Sequence, residues 1–149
     1  MPYAPGESVR SRLLYEGPFS ISATVRLLRD VLGALEHAHS RSVIIRRILP
    51  SSLIVGPSGR GTLTDLRHSS FTLPFIPPHE RNTGLAFMAP EVRAGRTGDA
   101  ASDVYTAAAI LYYALTGQEP ASDPAEIIPP TELRPAAPQV FDRLLARAI

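Results

Sequence analysis

Residues 100–115 constrain the fold more than any other stretch of this chain. Val104, Tyr105, Ala107, Ala108, Ile110, Leu111, Tyr112 and Leu115 reach nearly every side of a helical wheel. A helix that is apolar all round has no face to give to water, so it must stand inside the molecule with other elements packed about it. Gly117 suits the position just past its end. The chain therefore reads as a domain built round one buried helical post.

The other elements are placed by weaker signals. Residues 7–15 read as a short helix with Val9, Leu13 and Leu14 on one side, ended by Gly17-Pro18. Ser20 or Ser22 can cap a helix over 22–39, whose stripe Val25, Leu28, Val31, Leu32 and Leu35 has the spacing of one buried face. Residues 52–55 and 61–64 flank Gly56-Pro57-Ser58-Gly59 and read as a β-hairpin. Residues 66–88 have no clean period and contain Pro74, Pro77 and Pro78, so an extended loop is expected there. A last helix begins near Pro138 with Val140, Phe141, Leu144, Leu145 and Ala148 on one face. The fold class is mainly α with a small β-hairpin.

Length and composition bound the function. At 149 residues the chain is a single domain, 1–149, able to bury roughly 70% of its unfolded surface. A net charge of +1 gives no global field toward nucleic acid or a membrane, and neither partner is expected. All 15 basic residues are arginine, so no mechanism can use a lysine of this chain at a phosphate or as a Schiff base. With no cysteine, disulfides, thiol nucleophiles and thiolate metal sites are excluded. The first residues, Met-Pro-Tyr-Ala-Pro-Gly-Glu, lack the pattern of a signal peptide, and no apolar run approaches the roughly 20 residues of a membrane span. The expected location is the cytoplasm.

Residues 43–55, Val-Ile-Ile-Arg-Arg-Ile-Leu-Pro-Ser-Ser-Leu-Ile-Val, resemble the catalytic loop of a eukaryotic-type, bacterial Ser/Thr protein kinase. Further motifs follow in the family's order. Leu35-Glu-His-Ala-His-Ser-Arg-Ser-Val-Ile44 resembles the helix that delivers that loop, and Leu63-Thr-Asp-Leu-Arg67 its metal-binding strand end. Phe87-Met-Ala-Pro-Glu91 resembles the close of the activation segment, with Ala89, Pro90 and Glu91 matching it. Ser102-Asp-Val-Tyr105 and Leu115-Thr-Gly117 resemble the buried helix and its exit. Several such motifs in order are a specific signal where each alone is weak. The resemblance implies a kinase-like C-lobe with the N-lobe absent, cut at the hinge and clipped before the family's last helix. Glu91 then lacks the arginine it usually meets and needs another partner or water.

Within that frame the working side chains differ. The family's catalytic Asp falls on Arg47, and a guanidinium cannot act as a base. Its metal-binding Asn falls on Ser52, a shorter and weaker donor, while Asp65 keeps the metal-binding carboxylate. One carboxylate without a phosphate anchor holds magnesium weakly, so ATP and magnesium binding are expected to be absent or very weak. No catalytic residue is assigned. Leu66 and Ile45 keep apolar packing, and Arg67 removes a glycine's freedom. Pro50 keeps its family identity. Asp103 matches a buried Asp that accepts hydrogen bonds from the catalytic-loop backbone; it also suits a helix start through the macrodipole. Arg46 matches an arginine that pairs with a phosphorylated activation loop, in which Ser69, Ser70, Thr72 and Thr83 lie. His37 and His39 stand two apart on a helix and share no metal site.

The favoured expectation is a catalytically inactive kinase-like domain that binds a protein partner or itself. The expected surface is hinge-side and apolar, made by Met1, Tyr3, Leu53, Ile54 and Val55, which the missing lobe leaves partly exposed. Two alternatives stay open: a kinase fragment completed by an N-lobe in trans, and a truncated relic without function.

Overall fold

The computed structural model describes residues 5–65 and 84–149. Met1 and Tyr3, residues 66–83 of the loop expected over 66–88 with Leu66 and Arg67, and the candidate phosphorylation positions Ser69, Ser70, Thr72 and Thr83 lie outside the described residues, while the end of that stretch, Leu85–Phe87, forms a single 3-10 turn. The described elements are strand β1 (Glu7–Ser8), helix α1 (Val9–Glu16), helix α2 (Ile21–His39), strands β2 (Leu53–Val55) and β3 (Gly61–Leu63), then helices α3 (Pro90–Arg93), α4 (Ala100–Thr116), α5 (Pro130–Leu133) and α6 (Val140–Ala148). The fold is mainly α with one small antiparallel sheet.

Helix α4 is the post. Thirteen consecutive-to-near positions from Ser102 to Leu115, all but Val104, are buried. Asp99 caps its start, accepting from the backbone N–H of Ala101 at 2.8 Å and Ser102 at 3.2 Å. Ser102 Oγ accepts the Asp99 N–H in return at 3.0 Å, a reciprocal pair that satisfies otherwise orphaned donors. Gly117, at φ +76, turns the chain left-handed and returns its N–H to Tyr113 O at 2.8 Å. Arg134 then donates Nη1 to Leu115 O at 2.9 Å and Phe19 O at 2.6 Å, so one guanidinium covers the exit of α4 and the approach to α2.

Helix α2 packs on α4, but in a different phase from the expected one. Its buried residues are Thr24, Leu27, Val31 and Leu35, while Val25 and Leu32 are exposed. Thr24 can face inward because its hydroxyl donates to Ser20 O at 2.9 Å, leaving a methyl for the core. Ser20 is the cap, accepting from Ala23 N. The same one-residue offset recurs elsewhere. Leu13 is buried and Leu14 exposed on α1; on α6, Phe141 and Leu145 are buried while Val140 and Leu144 are exposed.

The hairpin gains a third strand. Glu7 and Ser8 pair antiparallel with Val55 and Ile54, giving the order β1-β2-β3. Successive side chains on a strand face opposite ways, so Leu53 and Val55 turn inward together and Ile54 turns away. Leu53 and Val55 are 1% and 6% exposed. The expected apolar surface through Leu53, Ile54 and Val55 is therefore corrected: only Ile54 is part-exposed, because Leu53 and Val55 join the core cluster that holds Val9 and Leu13 of α1 and Leu27 of α2. Gly61 lets β3 press on α2. A Cβ there would stand 2.9 Å from Leu27 Cδ1, and the Gly61 N–H donates to Asp30 Oδ2 at 2.7 Å.

Candidate functional site

The loop between α2 and β2 is held by one carboxylate. Asp103, fully buried on the first turn of α4, accepts the backbone N–H of Ile45 at 2.9 Å on Oδ2 and that of Arg46 at 2.5 Å on Oδ1. His39 Nε2 lies 2.8 Å from Oδ2. A carboxylate only accepts, so the proton between them belongs to His39. Both Asp103 oxygens are thus spoken for, and the last residue of α2 is joined to the loop it delivers.

This clamp holds an unusual backbone. Arg46 has φ +65, a conformation that costs a non-glycine residue about 1–3 kcal/mol. The strong charge-assisted bond from its own N–H to Asp103 offsets that cost. Burial pushes the Arg46 guanidinium below its ordinary value, and the nearby Asp103 charge opposes that shift. Arg46 and Arg47 are each 5% exposed and Ile45 2%, so the loop carries two buried guanidinium groups side by side in sequence. Further along, Pro50 is buried with its carbonyl accepting from Arg10 N at 3.1 Å. Ser52 is buried, and its carbonyl accepts both the N–H and the hydroxyl of Thr64, at 2.9 and 2.8 Å. These two hydrogen bonds fix Thr64, the neighbour of the half-buried Asp65.

Ala89, Pro90 and Glu91 stand at the start of α3, with Pro90 at its first position. Glu91 does have a partner: Ser102 Oγ donates to its Oε1. Ser102 therefore serves the cap of α4 and the end of the activation segment with one hydroxyl. Tyr105, one turn on, is buried with a hydroxyl that has no hydrogen-bond partner among the described residues. Burial raises its phenol above the usual value, Arg93 opposing and Glu91 adding to the shift.

In the sequence His39 stands out only as one of two histidines without a shared metal site, and Ser102 only as the start of the Ser102-Asp-Val-Tyr105 motif; the contacts they make are not expected from it. Ser102 carried a signal, three residues after a capping Asp and next to Asp103. His39 carried only its place at the end of α2. Among the described residues no group of three or more His, Asp or Glu is arranged to hold a metal ion.

The family model described as "Protein kinase domain" matches residues 1–134. The chain belongs to the protein kinase family. Its fold is that of a kinase-like C-lobe. A probable serine/threonine-protein kinase PknB of Bifidobacterium longum is 27% identical across 100% of this chain and 24% of its own length. The serine/threonine-protein kinase PknK of Mycobacterium tuberculosis is 34% identical over 78% of this chain and 11% of its own. PknL of the same species is 29% identical over 80% of this chain and 31% of its own. The chain thus spans between about a tenth and a third of the length of these relatives. No helix among the described residues is long and apolar enough to cross a membrane.

Proposed function

We propose that this kinase-family lobe is catalytically silent and works by binding another protein. The observation that carries the reading is Arg47. It stands at the position of the family's base, on a loop whose backbone is still clamped by Asp103. A loop kept in shape with a guanidinium in place of its carboxylate can present a surface but cannot accept a hydroxyl proton.

The magnesium donors also fit poorly. The loop offers the Asp65 carboxylate and the Ser52 hydroxyl, and Ser52 is only 7% exposed. Magnesium demands six oxygens at near-octahedral positions and is usually held through one or two carboxylates together with substrate phosphates. No step is assigned to the ion or to ATP. What remains to a lobe with a retained core and a replaced base is its outer surface, and no membrane or nucleic-acid role is assigned to it.

The test is transfer from radiolabelled ATP to a general protein substrate, with magnesium or manganese, by the purified chain and by Arg47→Asp. Both should stay at the level of the protein-free blank, the variant because Ser52 still lacks the amide of the family's Asn. Clear metal-dependent turnover by the unmodified chain would overturn the reading.

A further inference from the structure

The seam between α2 and the β2–β3 hairpin is a groove with an unbalanced charge. Three adjoining cavities of about 220, 190 and 560 Å³ run along it. The first and second share Arg26, Ser58 and Gly59; the second and third share Arg29, Asp30 and Arg60. Arg26 and Arg29 sit one turn apart on α2, and Arg60 reaches the same place from the hairpin loop. All three are exposed, and none has an ion-pair partner among the described residues. Arg12, at the far end, is already used: it pairs with Glu16 at 2.8 Å and lies over the Phe19 ring at 5.0 Å.

The one carboxylate among the described residues of the groove does not neutralise the three cations. Asp30 spends Oδ2 on the Gly61 N–H, a bond that fixes the hairpin to α2 and so fixes Arg60 relative to Arg26 and Arg29. Gly59, at φ +78, keeps the loop wall low: a Cβ there would come 3.8 Å from an Arg26 guanidinium nitrogen. Three guanidinium groups are thus presented on a fixed frame with their donors facing solvent. Such groups match carboxylates in two-pronged geometry.

We propose that this groove docks an extended acidic segment of a partner protein. The inference rests on the reading that the lobe works by binding, and it supplies the surface. Length favours a peptide over a lone anion. The cavities follow α2 from Ala23 to Ala34, about 16 Å at 1.5 Å per residue, which an extended peptide covers with about five residues. The lining disfavours single-stranded nucleic acid, which relies on aromatic stacking platforms. Phe19, the one aromatic among the described residues of the lining, is covered by Arg12. Asp30, between the arginines, suits spaced carboxylates better than an unbroken run of phosphates.

The experiment is fluorescence anisotropy with a labelled hexaglutamate peptide and the whole chain, at low and at physiological salt. The hexaglutamine peptide and a hexathymidylate are the comparison probes. Hexaglutamate should bind, weaken with salt, and lose about tenfold in affinity in the double variant Arg26→Gln, Arg60→Gln, a change of about 1.4 kcal/mol. The double variant Arg143→Gln, Arg147→Gln removes the same charge from α6 and should bind as the parent does. Circular dichroism of each variant confirms the fold is kept, as expected for exposed side chains. Absence of binding, equal binding of hexaglutamine or hexathymidylate, equal loss in both double variants, or displacement by inorganic phosphate at the peptide's own concentration range would each overturn the proposal. Failure here leaves the phosphate-transfer result standing, and turnover there would leave this binding standing, so the two readings fail separately.

Discussion

Asp103 concentrates more of this structure than any other side chain. Two backbone N–H groups and His39 converge on a carboxylate with no exposure, and Arg46 keeps its positive φ next to one of those bonds. Asp103→Asn retains shape but turns one acceptor oxygen into an NH₂ group, which faces a donor whichever way the amide is flipped. A charge-assisted bond contributes about 1.5–3 kcal/mol, and leaving a buried donor unmatched adds to the loss. Urea unfolding should therefore show Asp103→Asn less stable by about 2–4 kcal/mol. Amide exchange at Ile45 and Arg46 should accelerate beyond that of the α2 interior, because the local clamp goes before the helix does. A change under about 0.5 kcal/mol would show that the loop is held by other contacts. Ser102 is the second such residue. The resemblance points to Glu91 without its usual arginine, and no local pattern announces the hydroxyl that meets it, since Ser102 and Glu91 stand eleven residues apart.

At the scale of elements, the sequence discloses which segments are helices more readily than which way they face. Helix α2 contains the pairs Leu27-Leu28 and Val31-Leu32, so two stripes offset by one residue are both nearly continuous. Counting apolar residues favours the stripe with Val25 over the one with Thr24, yet Thr24 is the inward residue, its hydroxyl satisfied by Ser20 O. Leu13-Leu14 on α1 and Leu144-Leu145 on α6 pose the same ambiguity, and in each pair burial selects one. Helix α4 escapes it because nearly every side is apolar. The β1 strand was hidden for a different reason: two residues pairing with a strand some 46 positions on leave no local period to read. The phase of α2 is testable by paired truncation. Leu27→Ala should cost about 2–5 kcal/mol, while Val25→Ala and Leu32→Ala should each stay within about 0.5 kcal/mol, all by urea denaturation. Equal losses at Leu27 and Val25 would mean the helix is rotated from the orientation described.

Across the whole molecule, α4 divides the interior into two clusters and belongs to both. Ala107, Ala109, Ile110, Tyr113 and Ala114 face the cluster shared with α1, α2, the sheet and the Phe87 turn. Ala108, Leu111, Tyr112 and Leu115 face a second cluster with Ala137, Phe141 and Leu145. A helix with buried side chains on both flanks cannot lose one cluster without baring an apolar face to water, at roughly 25 cal/mol per Å² uncovered. That couples the C-terminal helices to the body although α6 touches α2 and the sheet little. Ile110→Ala, on the first flank, and Leu115→Ala, on the second, should each remove about 2–5 kcal/mol from one and the same transition. Tyrosine fluorescence and far-ultraviolet circular dichroism should then give coincident midpoints for both variants. If Leu115→Ala instead produced an early transition carrying only part of the helical signal, α5 and α6 would be a separately melting unit. The post would then be shared in geometry without being shared in stability. Coincidence is the expected result, because Leu115 and Ile110 stand on the same continuous hydrogen-bonded helix, fixed at one end by Asp99 and at the other by Gly117 and Arg134.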